Sequence, residues 1–416
     1  MRCSRPLSEV ARIQQGRYLA QNEMAECPGP GAEVPVWGAN GILGYTSEPE
    51  YQQAVALVTC RGNGCGKVQW TRAAAHVSNN AMAIIPMDGD GVDQRFMYYS
   101  LHEANIASVI SGSAQPQITR THLSAVAISW PDRGERERIV ECLDSLDQRI
   151  ANNRFLATNL ESIARAIFKS WFVDFDPVRA KMEGREPEGM DPEIAALFPD
   201  RLVESELGFV PEGWEWVPLS EMAEFLNGLA LQKFPPNGHD DLPVLKIAQL
   251  RSGALDPDKL ASREVGDRYI VSSGDLIFSW SGSLMVDVWC SSDCALNQHL
   301  FKVNPASWAS KGLLWAAIQK NIEGFQAIAA SKAVTMGHIN RRHLDEAFVA
   351  LPSRESVKIM SSSLDALTEN IIHARLESHA LASLRDFLLP RLISGRLSIK
   401  EVEAAANTEP CEHRVD

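Results

Sequence analysis

The sequence predicts an α+β protein built as a tandem repeat. Two β-rich domains are each followed by a long helix, and the two helices pack as an antiparallel coiled coil. Three observations predict this. Short apolar runs (AVALVTC, AMAIIP, LIFSWSG, HLFKVNP) alternate with Gly-, Asn-, Asp- and Pro-containing segments, the signature of strands joined by turns. These runs fall into two matching sets. Each set leads into a long stretch whose apolar residues step by four and three, which is a heptad seam.

Composition bounds the reading. A chain of 416 residues exceeds one ordinary core, so two or more domains are expected. Hydrophobic content of 45% and charged content of 22% describe a folded soluble chain. No run of 18 apolar residues occurs, so no membrane span is expected. The opening MRCSRPLSEVARIQQG lacks the apolar core of a secretory signal, and eight cysteines without framework spacing suit reduced thiols in a cytoplasm. The close pairs Cys60/Cys65 and Cys290/Cys294 lack a C-x2-C knuckle and lie in strand-like segments, so no metal site is expected. The net charge of −13 argues against a uniformly basic nucleic-acid binder. It still allows a small basic and amide-rich face on an acidic body, or a basic partner.

The repeat can be followed element by element. Leu7-Ser8-Glu9-Val10-Ala11 with Gly16 matches Leu219-Ser220-Glu221-Met222-Ala223 with Gly228, 212 positions later. A proline-led strand follows in each copy, Pro35-Val36-Trp37 and Pro243-Val244-Leu245. Next comes an apolar run ending in small polar residues and glycine, Val55 to Gly62 and Asp275 to Gly282. An amide pair opens the next strand, Asn79-Asn80 and Asn297-Gln298. Helices are expected near Arg95 to Ser111 and Trp308 to Ala330. From Ile118, His122, Leu123 and Pro131 onward the match to Ile339, His343, Leu344 and Pro352 is gapless at an offset of 221.

The gapless part carries the seams. The first runs through Leu143, Leu146, Ile150, Asn153, Leu160 and Ile167, and the second through Leu364, Leu367, Ile371, Ser378, Leu381, Arg385 and Leu388. Each helix would be roughly 50 Å long at 1.5 Å per residue. Polar residues at seam positions (Asn153, Ser378, Arg385) set register at some cost in stability. Two helices of one chain, each following a bulky domain, predict an antiparallel pair. The boundaries follow: domain 1 over 1–130, helix 1 over 131–172, a Pro-, Gly- and charge-rich linker over 173–212, domain 2 over 213–352, helix 2 over 353–396, and an acidic tail without structure over 397–416.

Enzyme signatures fail one by one. Gly62-Asn63-Gly64-Cys65-Gly66-Lys67 lacks the G-x4-G-K-[ST] spacing and reads as a hairpin turn. No G-x-G-x-x-G follows a strand and opens a helix. Asp174 and Asp176, beside Pro177, read as caps and a chain turn rather than a metal or base pair. His122 and His343 recur as packing or capping groups, and no HExxH, GxSxG or Cys/His nucleophile pattern is present.

What remains is a set of side chains suited to nucleic acid. Asn and Gln pair with adenine edges, Arg and Lys with guanine, and Lys, Arg, Ser and Thr with phosphates. In domain 1 the candidates are Arg61, Asn63, Lys67, Gln69, Arg72, Asn79, Asn80, Gln115, Gln117, Thr119 and Arg120. In domain 2 they are Lys233, Lys246, Gln249, Arg251, Ser281, Ser283, Asn297, Gln298 and Lys332.

The junction carries a resemblance. LESIARAIFKSWFVDFDPVRAKMEG from Leu160 to Gly184, GMDPEIAALFP from Gly189 to Pro199, SELGFVPEGW from Ser205 to Trp214, and LLPRLISG from Leu388 to Gly395 resemble the Type I restriction–modification specificity subunits. That resemblance implies two target-recognition domains, each reading one half of a bipartite DNA site. It implies helices that set the spacer and dock two methyltransferase subunits, and restriction/translocase subunits in the complete complex. S-adenosylmethionine, ATP and Mg would then belong to the partners, leaving this chain without a cofactor, catalytic residue or membrane attachment. Domain 1 departs from the pattern in having no counterpart of Glu206 to Trp214. The competing reading is a protein-binding adaptor with duplicated β-domains.

Overall fold

The computed structural model describes residues 4–71, 73–87, 89–112, 114–331 and 338–407. The chain divides into two compact units, Met1–Arg149 with Leu381–Asp416, and Ile150–Ala380.

In the first unit, Ser4–Pro6 pairs antiparallel with Ala127–Ser129. A single helical turn, Leu7–Val10, then feeds the strand Ala11–Gln15. That strand edges a four-stranded antiparallel sheet in the order Ala11–Gln15, Ala81–Pro86, Ala56–Thr59, Val68–Trp70. A smaller sheet joins Gly41–Thr46, Val34–Gly38 and His76–Val77, the last pair parallel. The helix Gly91–Glu103 starts on Asp90, whose carboxylate accepts from the amide of Val92 at 3.0 Å. Such a cap satisfies an otherwise orphaned helical N–H. Its Met97 and Leu101 join Ala56, Val58, Met82 and Ile84 in one core cluster.

The second unit repeats this plan. Glu215–Pro218 pairs with Phe348–Leu351, so domain 1 has an opening strand after all, at Ser4–Pro6. The larger sheet runs Ala223–Asn227, Leu300–Pro305, Leu276–Ser279, Met285–Val288. The smaller one joins Leu260–Ala261, Leu242–Leu245, Cys294–Leu296 and Ile270–Val271, with Leu242–Leu245 again parallel to its central neighbour. The helix Lys311–Ser331 covers the core. The expected fold class holds, with each domain built, among the described residues, on two small sheets and a two-stranded pair at its opening.

Both long helices form, Arg133–Lys169 and Arg354–Ser394, and each contributes turns to both units. Leu143, Ile150, Leu364, Ile371 and Leu388 are buried, while Leu146, Leu160, Ile167, Leu367 and Leu381 are half-buried. Within the first unit Leu143 clusters with Leu388 and Leu392, and Arg385 donates to Asp147 at 2.8 Å. Within the second, Ala157 clusters with Ile371 and Ala374, Asn153 donates to Glu377 at 2.9 Å, and Arg375 to Glu161 at 2.7 Å. Partner numbers fall on one helix as they rise on the other, so the pair is antiparallel. The three polar seam residues are all bonded, Ser378 donating to its own turn at Ala374 O.

Each unit also has a charged clasp between helix and domain. In the first, Arg95 bonds Asp144 and Asp147, and the Tyr99 hydroxyl, with one proton to give, lies within 2.7 Å of a carboxylate oxygen of each. In the second, Arg375 links Glu161 to Asp287 of the strand Met285–Val288, the latter at 2.6 Å. Burial raises the Asp287 carboxyl above its ordinary range, with Arg375 pulling it back. Burial also opposes the charge on Arg375, yet Asp287 and Glu161 outweigh it and the net shift is upward.

Two expectations are corrected. Residues 173–212 are not an open linker. A π-turn Ser170–Asp174, the helices Asp176–Met182 and Pro192–Ala196, and the hairpin Leu202–Ser205/Gly208–Pro211 occupy it. Phe172, Phe175, Phe198 and Trp214 gather there in one aromatic cluster. That burial holds Phe175 in the left-handed region (φ 57), which a bulky residue seldom adopts. The tail is not wholly unstructured either, because Ile399–Asn407 is a helix whose Ile399 and Val402 pack with Leu388 and Leu392.

Candidate nucleic-acid interfaces

In domain 1 the antiparallel ladder brings Gln15, Ala81, Thr59 and Val68 to one end of the larger sheet. The loops leaving that end carry most of the candidates. Arg61, Asn63 and Lys67 are exposed on the hairpin turn, where Gly62 and Gly66 take positive φ. The GNGCGK motif is therefore a turn between strands, as its spacing indicates. Asn79 and Asn80 form the half-exposed turn into Ala81–Pro86. Gln117 reaches the same end because it bridges Arg61 antiparallel, reinforced by Ile118 N–H to Cys60 O at 3.0 Å. Gln115 is exposed on the same loop, and Arg120 on the next, where Thr119 caps the short helix Arg120–Ser124. Gln69 does not belong with them. It is buried, and its amide donates to Gly38 O at 2.9 Å and Thr59 Oγ1 at 3.1 Å.

Domain 2 presents the same end with the same main-chain frame. Ile339 N–H donates to Trp280 O at 3.0 Å, and Ser281 bridges His338 antiparallel. Gly282, like Gly62, has positive φ. At the sheet edge, Gly16 N–H donates to Ala81 O and Gly228 N–H to Leu300 O, both at 3.0 Å. A Cβ on Gly16 would run into the carbonyls of Ser78 and Val77, and one on Gly228 into those of Asn297 and Leu296. The repeated glycine is thus a steric requirement for that close approach.

This frame corrects the alignment of the amide pairs. Ala81 is equivalent to Leu300 and Ser78 to Asn297, so Asn79 corresponds to Gln298 and Asn80 to His299. Asn297 is buried under the Gly228 contact, and Ser281 is buried with its hydroxyl on His299 Nδ1 at 3.1 Å. Gln298 approaches the other ring nitrogen at 3.3 Å. Around them lies a pocket of about 760 Å³ lined by Asn227, Trp280, His299, Phe301, His338 and Arg341, among others. The Trp280 indole N–H donates to Asn227 Oδ1 at 3.0 Å, and its ring packs against His299 and His338.

The remaining candidates lie elsewhere in domain 2. Lys233 is exposed on the turn Leu231–Lys233, and Lys246 is exposed before the helix Ile247–Ser252. Gln249 is half-buried, its Oε1 buried without a hydrogen-bond partner among the described residues. Ser283 and Arg251 share a second pocket of about 690 Å³. Arg72 and Lys332 lie outside the described residues. Sequence reasoning missed Gln15, Asn227, Trp280, His299 and His338. The polar residue preceding each repeated glycine was the available signal for the first two.

Among the described residues no three His, Cys, Asp or Glu side chains come together as a metal site, and burial pushes the thiols of Cys65, Cys290 and Cys294 up. What the ends supply is paired donors and acceptors on a rigid main-chain frame.

Comparison with known proteins agrees. The chain is 25% identical over 327 residues to the HindI Type I restriction enzyme specificity subunit of Haemophilus influenzae, covering 68% of this chain and 71% of that protein. It is 23% identical over 333 residues to the MjaIX specificity subunit of Methanocaldococcus jannaschii, covering 77% and 72%. A crystal structure of a Type I restriction–modification S subunit from M. genitalium has a TM-score of 0.62 at 14% identity, covering 94% of this chain and 96% of that one, and so shares the fold. The family model of the Type I restriction modification DNA specificity domain matches twice, over residues 4–162 and 211–378. Carrying that domain in both halves, the chain belongs to the Type I restriction modification DNA specificity family.

Proposed function

We propose that this chain is the DNA-specificity subunit of a Type I restriction–modification complex, each β-domain reading one half of a bipartite site. It supplies no reaction step of its own. Adenine methylation with S-adenosylmethionine, and ATP- and Mg-dependent restriction, belong to partner subunits in the cytoplasm. The observation that carries this reading is the recurrence of one main-chain frame at the same sheet end in both domains, dressed with different hydrogen-bonding side chains. Two readers of one design with different side chains suit two different half-sites.

The long helices, present in both units, are proposed to set the spacer and to dock two methyltransferase subunits, through which restriction subunits join. Support comes from Ile163 and Leu384, equivalent at the 221 offset and both exposed, with Phe155 and Leu156 near the first and Phe387 near the second. Exposed apolar side chains on a helix whose seam is already filled suit a protein partner. Among the described residues no helix is long and apolar enough to cross a membrane. Single-molecule sequencing of methylated adenines in the host genome tests the reading. A bipartite motif with one fixed spacer, lost on deletion of this chain, is expected, and its persistence after deletion would refute it.

A further inference from the structure

Arg61 and Gln117 face each other across an antiparallel bridge, so their side chains leave the same face with Cβ atoms about 5 Å apart. Both are exposed. Their main chains are tied by Ile118 N–H to Cys60 O and Gly62 N–H to Pro116 O, which fixes the spacing without using either side chain. Neighbouring bases on one strand stand about 3.4 Å apart along the axis, within reach of such a pair. A guanidinium matches the O6/N7 edge of guanine, and a carboxamide the N6/N7 edge of adenine.

We propose that Arg61 and Gln117 read adjoining guanine and adenine edges in the first half-site, and that His338 with His299 holds the corresponding place in domain 2. There the bridge is Ser281 to His338, but the Ser281 hydroxyl is withdrawn onto His299. The equivalent pair, Ser281 and His338, therefore presents the His338 imidazole, with His299 (the counterpart of Asn80) beside it, instead of a guanidinium and an amide, and the two half-sites differ at that step. This inference rests on the specificity-subunit reading and names the residues that do the reading.

The test uses the chain assembled with its methyltransferase partners and a pool of duplexes randomised around the native motif, scored for methylation and for binding. Arg61→Ala is expected to lower discrimination at one base pair of the first half-site by about tenfold or more, Gln117→Ala to do so at the adjoining base pair, and His338→Ala to act on the second half-site alone. Arg61→Lys keeps the charge and loses the planar fork, so it should retain overall affinity while losing discrimination. Unchanged discrimination in the Arg61 and Gln117 variants overturns the proposal. So does an equal loss of affinity for all sequences, because that is the mark of a phosphate contact. If the unaltered complex itself selects no bipartite motif, the specificity-subunit reading has failed instead.

Discussion

At the scale of single residues, glycine and arginine decide most. Gly16 and Gly228 stand where a Cβ would meet carbonyl oxygens. Backbone atoms cannot move aside as a flexible side chain can, so Gly16→Ala or Gly228→Ala should each cost about 1–3 kcal/mol. Calorimetry should register the loss, and methylation assays should show it confined to the half-site of the altered domain. Arg375 is the second case. Replacing it with Met leaves Asp287 and Glu161 without their shared counter-ion, a loss of about 2–3 kcal/mol at pH 7.5 given their partial exposure. The pH sign follows from the raised Asp287 carboxyl. Such a carboxyl stabilises below its unfolded value and loses this as pH rises through the folded value. Without Arg375, which lowers it, the carboxyl is raised further in the variant, so the variant regains more than the parent on acidification. The variant's deficit should therefore narrow as pH falls from 7.5 towards 4.5, which melts at the two pH values would show. The residue scale was also the least legible in the sequence. Gln69 looked like any exposed amide, and only the fold shows it donating to Gly38 and Thr59. The one-position slip that set Asn79–Asn80 against Asn297–Gln298 instead of Gln298–His299 arose because the loops before them differ in length, which pattern matching cannot weigh.

At the scale of elements, the helices were legible and the connection between the copies was not. A 4-and-3 apolar rhythm persists over many turns, so local noise averages out, and Leu143, Ile150, Leu364 and Ile371 are buried where the rhythm puts them. In 173–212, Pro, Gly and charge suggested open chain. The aromatic residues Phe172, Phe175, Phe198 and Trp214 were the signal for a core, and they have no period to betray them. The helix Ile399–Asn407 was hidden by its acidic composition, although Ile399 and Val402 are three apart. The filled seam and the exposed apolar residues predict opposite behaviour. Ile371→Ala should lower stability by about 2–4 kcal/mol through a cavity in the helix pair. Phe155→Ser should change stability by no more than about 0.5 kcal/mol while weakening binding of the methyltransferase subunit, measurable by titration calorimetry.

On the scale of the whole molecule, charge sets the expectation. With 53 acidic residues against 40 basic ones, −13 net, the chain as a whole repels the phosphates of a duplex. Isolated, it should bind its target weakly and with a shallow dependence on salt. The assembled complex, if the proposed partners supply the phosphate contacts, should show a steep one. Fluorescence anisotropy across a salt series distinguishes them, and a steep slope for the chain alone would place the phosphate contacts here. The duplication was legible at this scale because two features survive in both copies, the LSE-containing turn with its glycine and the unbroken 221-residue offset.

The frame at each sheet end is made of main-chain bonds, Ile118 to Cys60 in one domain and Ile339 to Trp280 in the other. Amide and carbonyl groups are the same whatever the residue, so mutation of the exposed side chains carried beside them, Arg61 and Gln117 in the first domain, draws little on the energy that folds the domain. New readings can then arise by drift through single substitutions, each leaving a foldable protein. On the proposed reading, a short mutational path leads to a new target without rebuilding the scaffold.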